Sequence, residues 1–120
     1  MKNISDAELE VMQTLWKKGE CTSLEIVKDV SERKDWKQNT IMTLVKRLET
    51  KAFIEVIREK GNLLLYKPIV LEDDYKTKET SSFIERMYEG SINNMLVAFA
   101  KSKKLTKKDL EDLMRLIEEE

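Results

Sequence analysis

The chain has 120 residues, 41% of them hydrophobic, which supplies one modest core, or one core plus an extension that covers its apolar face with a second subunit. One cysteine excludes an intrachain disulfide framework, the absence of histidine removes the usual metal-ligand sets, and neither a metal nor another cofactor is expected. The formal net charge is −1, no run approaches the roughly 18 apolar residues of a membrane span, and Met1-Lys2-Asn3-Ile4-Ser5 carries no apolar signal region, so a cytoplasmic protein without membrane contact is expected.

Side chains that cap helix starts recur three residues before an acid or amide, in Ser5-Asp6-Ala7-Glu8, Thr22-Ser23-Leu24-Glu25 and Asp35-Trp36-Lys37-Gln38. The first predicted helix, 5–18, sets Leu9, Met12, Leu15 and Trp16 on one stripe and ends at Lys17-Lys18-Gly19, with cations near the negative end of the dipole. The second, 22–32, turns Leu24, Ile26, Val27 and Val30 inward, and the third, 37–51, turns in Ile41, Leu44, Val45 and Leu48. After Lys51 the period drops to two. Phe53-Ile54-Glu55-Val56-Ile57, the polar turn Arg58-Glu59-Lys60-Gly61-Asn62 and Leu63-Leu64-Leu65-Tyr66-Lys67-Pro68 predict a β-hairpin, with Pro68 at the end of its second strand because it cannot donate to a ladder.

From residue 71 the chain reads as helix, opening on Glu72, Asp73 and Asp74, whose adjacency is accounted for by the helix dipole. Phe83, Ile84, Met87 and Tyr88 form one stripe, and Ile92, Met95, Leu96 and Phe99 continue it past Gly90. Leu110, Leu113, Met114, Leu116 and Ile117 form another, behind a cap at Thr106-Lys107-Lys108-Asp109. Such helices are too few to enclose a core of their own, so a second copy is the expected cover. The predicted fold class is mainly α with a small β-hairpin. A winged helix-turn-helix DNA-binding domain spans 1–70 and a helical dimerisation domain spans 71–120.

Charge distribution sharpens the functional reading. Residues 1–70 hold 13 Lys/Arg against 11 Asp/Glu, residues 71–120 hold 9 against 12, and the stretch 33–51 alone has Arg33, Lys34, Lys37, Lys46, Arg47 and Lys51 against Asp35 and Glu49. Phosphate binding needs such a local surplus, not a basic whole protein. In a winged helix the third helix enters the major groove and the hairpin tip reaches nearby backbone. With its apolar residues turned inward, the outward face of the third helix shows Asn39, Thr40, Thr43, Lys46, Arg47 and Thr50, behind Lys37 and Gln38 in the first turn, and the hairpin tip adds Lys60 and Asn62. Amides and hydroxyls pair with base edges, lysine and arginine with phosphate. Taken alone, a charged outer face is usually just solvated; the helix order, the hairpin and the local charge together reverse this and favour double-stranded DNA.

The chain also resembles the penicillinase and methicillin-resistance repressors of the BlaI/MecI type along nearly its whole length. The residues that carry the likeness are Ile4-Ser5-Asp6-Ala7-Glu8-Leu9-Glu10-Val11-Met12 with Trp16, Thr40-Ile41-Met42-Thr43-Leu44 followed by Arg47-Leu48, Tyr66, and Phe99-Ala100-Lys101. The resemblance implies a homodimeric winged-helix repressor of palindromic operators, with Lys37, Gln38, Asn39, Thr40, Thr43 and Arg47 in the DNA-reading helix and the tail as dimerisation domain. It also implies a regulatory protease that cuts an Asn-Phe bond in the tail. The matching bond here is Ala98-Phe99, which lacks the asparagine, and Phe99 reads rather as core, because it continues the apolar stripe of Ile92, Met95 and Leu96. Copper-responsive relatives carry paired cysteines near the C-terminus, absent here.

Other residues read as structural: Cys21 as a plain thiol, Trp16 as packing, and the six methionines as core filler, with Trp36 partly exposed. No histidine, glycine-rich phosphate loop, nucleophile elbow or metal cluster supports an enzyme. The rival to DNA binding is a winged helix that serves as a protein-interaction module, and steep salt dependence distinguishes the two.

Overall fold

The computed structural model describes residues 3–119, which contain six α-helices and one two-stranded antiparallel hairpin. The chain divides at Tyr75 into two compact units, each described by itself.

In the first unit, α1 (Asp6–Lys18) starts at a reciprocal cap in which the Ser5 Oγ accepts from the Glu8 amide and the Glu8 carboxylate accepts from the Ser5 amide. It stops at Gly19, whose φ of 77° is open to glycine at little cost and whose N–H closes on the Leu15 carbonyl. The same box, Thr22 with Glu25, starts α2 (Ser23–Ser31). The third expected box does not form. α3 (Gln38–Thr50) begins with extended Lys37 at its cap position, a side chain with no acceptor, so it has no side-chain cap, and Trp36 just before it packs against the edge of the core. Leu24 is also corrected: it is 74% exposed, whereas Ile26 and Val30 are fully buried. Positions two apart on a helix diverge by about 200°, so Leu24 and Ile26 cannot share an inward face.

The hairpin joins β1 (Ile54–Arg58) to β2 (Leu64–Pro68), with Val56 opposite Tyr66 and Ile54 opposite Pro68. Cys21 adds a one-residue third strand, exchanging two backbone hydrogen bonds with Tyr66 at 3.0 and 2.8 Å. This pairing buries the Cys21 thiol and pushes its pKa up to about 11, as expected of a structural cysteine. Phe53, just before β1, is buried, and its carbonyl accepts from the amides of Ile69 and Val70. Tyr75 packs edge-on against Phe53 and tilted against Trp16, whose indole N–H donates to the Val70 carbonyl at 2.9 Å.

Two buried carboxylates brace the helices. Asp29 on α2 accepts from Thr14 of α1, from Lys17 at 2.7 Å and from Arg33, and Arg33 also reaches Glu10. Burial raises the Asp29 pKa, but the hydrogen bonds from Lys17, Thr14 and Arg33, with the Arg33 charge, outweigh it and hold the carboxyl well below the usual range. Glu8 on α1 accepts from Lys51 at 2.8 Å, which ties the end of α3 to the start of α1; its second oxygen is buried and has no hydrogen-bond partner among the described residues.

α4 (Glu72–Tyr88) opens on three acids before the division at Tyr75 and runs on into the second unit, where α5 (Ile92–Lys101) is capped by Ser91 and α6 (Lys107–Glu118) by a Thr106–Asp109 box. No residue of α5 or α6 is buried. Phe83, Met87, Ile92, Leu113, Leu116 and Ile117 are exposed, and Ile84, Tyr88, Met95, Leu96 and Phe99 are half-buried.

The Asp29 cluster generates a stability prediction. Asp29→Ala strands the buried Thr14 hydroxyl and costs about 2 kcal/mol at pH 7, less than a fully buried pair because Lys17 and Arg33 remain partly in water. The folded carboxyl lies below its unfolded value, so its contribution is present above the ordinary aspartate range near 3.9 and is lost as pH falls through the folded value. Urea unfolding should show the gap between Asp29→Ala and wild type narrowing at acid pH; identical curves at pH 7 would show that the cluster contributes nothing.

Candidate nucleic-acid interface

The 3.6-residue period sorts α3 into two faces. Ile41, Leu44, Val45 and Leu48 are each 5% exposed or less and pin the helix to the core. Lys37, Gln38, Asn39, Thr40, Thr43, Lys46, Arg47 and Thr50 are all exposed. Every residue expected on the outward face is therefore on it. The first turn has no side-chain cap, so its amides add the positive end of the helix dipole to that face.

Hydrogen bonding narrows what each side chain can do. The Thr43 hydroxyl donates to the Asn39 carbonyl at 2.8 Å and the Thr50 hydroxyl to the Lys46 carbonyl at 3.1 Å, so Thr43 keeps an acceptor and a methyl group for a ligand. The Asn39, Lys46 and Arg47 side chains are uncommitted among the described residues. The positive surplus of 33–51 divides in the structure. Arg33 is bound to Asp29 and Glu10, Lys51 to Glu8, and Lys34 lies 6.0 Å from the Trp36 ring, whereas Lys37, Lys46 and Arg47 make no ion pair among the described residues. Within this stretch, the cations left without an ion pair or ring contact among the described residues are thus Lys37 at the cap of α3 and Lys46 and Arg47 on its outward face.

The hairpin tip is a short turn, Lys60–Asn62, with φ of 73° at Gly61 and 61° at Asn62. Lys60 and Asn62 are exposed there, as expected, and Arg58 donates to the Asn62 carboxamide oxygen at 3.4 Å, leaving the amide NH2 as the outward donor. Sequence reasoning missed Arg58 because it reads as turn, and missed Met42 because methionines read as core. Met42 is half-buried and lines both surface grooves beside α3. One, about 410 Å³, is formed with Asn39, Thr43, Lys46 and Arg47; the other, about 210 Å³, lies between α3 and the hairpin, with Val45, Lys46, Glu49, Val56, Leu64 and Tyr66.

Elsewhere, Ala98-Phe99 lies inside α5 with both residues half-buried, and the Phe99 carbonyl accepts from the Lys104 and Leu105 amides and the Ser102 hydroxyl at the helix end. Among the described residues no group of His, Cys, Asp and Glu could hold a metal ion, and no helix is long and apolar enough to cross a membrane.

Comparison with known proteins agrees with this arrangement. The family model described as penicillinase repressor matches residues 4–119. The penicillinase repressor of Bacillus licheniformis is 34% identical over 116 residues, 97% of this chain and 90% of its own length. The methicillin resistance regulatory protein MecI of Staphylococcus aureus (strain N315) is 35% identical over 115 residues, covering 95% and 92%. Among solved structures, Bacillus licheniformis BlaI, in its monomeric form in complex with the blaP half-operator, is 38% identical with a TM-score of 0.55, over 62% of this chain and 89% of that one. With a winged-helix unit whose outward α3 face is polar and basic, and with relatives matched over nearly their whole length, the chain belongs to the penicillinase repressor family.

Proposed function

We propose that this chain is a homodimeric transcriptional repressor that acts in the cytoplasm on double-stranded DNA, with α3 in the major groove and the hairpin tip on neighbouring backbone. The observation that carries the reading is the outward face of α3, which gathers amide, hydroxyl, lysine and arginine side chains free of internal ion pairs on a helix that the core holds rigidly. Its support outside this chain is a relative solved with a half-operator, and a half-operator belongs to a site built from two. Lys37, Lys46, Arg47 and Lys60 serve phosphate, while Gln38, Asn39, Thr40 and Thr43 reach base edges and Asn62 backbone.

Residues 76 onward supply the two-fold partner. Each large apolar side chain left in water forgoes roughly 1.5 to 3 kcal/mol of burial, and Phe83, Met87, Ile92, Leu113, Leu116 and Ile117 are all exposed in the single chain. A second copy covering this face places two α3 helices one or more turns of DNA apart. Operator release is assigned to no protease: the Ala98-Phe99 bond lacks asparagine and sits in helical backbone that must unwind before cleavage.

Selection of bound duplexes from a randomised pool should enrich a palindrome, with affinity falling steeply in salt at a slope near −0.9 per neutralised phosphate. No enrichment by an intact dimer at low salt would favour the protein-interaction module instead. Lys46→Ala and Arg47→Ala should weaken every duplex and flatten the salt slope by about one each. Asn39→Ala and Thr43→Ala should instead relax one base preference each by about 1–3 kcal/mol. Unchanged affinity and preference in all four variants would overturn the assignment of this face. Leu116→Glu with Ile117→Glu should shift sedimentation from dimer to monomer and reduce operator affinity; a dimer that persists would move the interface off α6.

A further inference from the structure

We propose that Met42 is a specificity-determining contact that selects thymine at one position of each half-site by accepting the base's 5-methyl group, an inference that rests on the operator reading above. Met42 lies one turn beyond Asn39 and one turn before Lys46, next to Thr43, and it lines the same groove as these three and Arg47. On one side it packs against the core, and on the other it remains partly open. It is thus the apolar member of a face that otherwise offers amide, hydroxyl and cationic groups.

A thioether has no donor and is a weak acceptor, so Met42 cannot pair with a base edge or a phosphate. The major-groove feature that suits an apolar side chain is the thymine methyl, which distinguishes thymine from every other base. The surroundings favour it. Behind Met42, Val45, Val56 and Leu64 continue the apolar surface along the groove between α3 and the hairpin, so a methyl placed on Met42 leaves water on more than one side. Methionine's unbranched side chain adapts to such a contact without a fixed geometry.

The test uses the palindrome recovered by selection. Each thymine is replaced in turn, symmetrically in both half-sites, by deoxyuridine, which removes the 5-methyl alone. Affinity is measured by fluorescence anisotropy for the wild type, Met42→Ala and Met42→Leu, with circular dichroism melts confirming that each variant is folded. At one position the wild type should lose about fourfold per half-site, the worth of one buried methylene-sized group. That loss should vanish in Met42→Ala and persist in Met42→Leu, which keeps an apolar side chain in the groove and preserves the test if the alanine variant unfolds. Equal wild-type affinity for all deoxyuridine operators would overturn the proposal, as would full discrimination retained by Met42→Ala. A Met42→Ala variant weakened equally on thymine and deoxyuridine duplexes would show that Met42 only supports the helix. Failure of the wild type to bind the parent palindrome would instead remove the operator reading itself.

Discussion

The burial of Ile41, Leu44, Val45 and Leu48 sets the orientation of α3, and the rest of the first unit is arranged around that constraint. These four side chains meet Val11, Met12, Leu15, Ile26, Val30 and Phe53 in one core, so rotating α3 about its axis would expose several of them at once. The outward residues of α3 are therefore displayed by default. Their rigidity derives from the opposite side of the helix, which is what a surface that reads chemical groups at fixed spacing requires.

Electrostatics follow from the same packing. Two acids, Asp29 and Glu8, are buried where α1 meets α2 and α3, and each draws nearby cations into internal bonds. Lys17, Arg33 and Lys51 are thereby committed to holding helices together, and Lys37, Lys46 and Arg47 remain for a ligand. A chain of net charge −1 can present cations on this face in this way, because Asp29, Glu10 and Glu8, the acids that bind Lys17, Arg33 and Lys51, lie on α1 and α2 and leave Lys37, Lys46 and Arg47 unpaired among the described residues.

The second unit shows the opposite balance. α5 and α6 are well capped, yet they bury no residue and leave large apolar side chains in solvent. Local signals suffice to form the helices; they do not supply the surface that would cover them. The proposed homodimer answers that deficit, and it would make operator affinity depend on protomer concentration, since two half-sites are bound together only while the tails are joined.

Much of this was legible in the amino-acid order. The reciprocal caps at Ser5–Glu8, Thr22–Glu25 and Thr106–Asp109, the stop at Gly19, the hairpin ending at Pro68 and both faces of α3 follow from spacing and side-chain chemistry within a few residues, which local interactions determine. What depended on residues far apart was decided only in three dimensions. Asp35 does not cap α3, whose cap position falls to Lys37 while Trp36 packs against the core; the exposure of Leu24, by contrast, follows from helix geometry alone once Ile26 and Val30 face inward. The strand contributed by Cys21 needs Tyr66, and the fate of each cation depends on an acid from another helix, up to 43 positions away for Glu8 and Lys51. Periodicity reports which side of a helix is apolar, but which charges remain free is settled by where the tertiary structure places their partners.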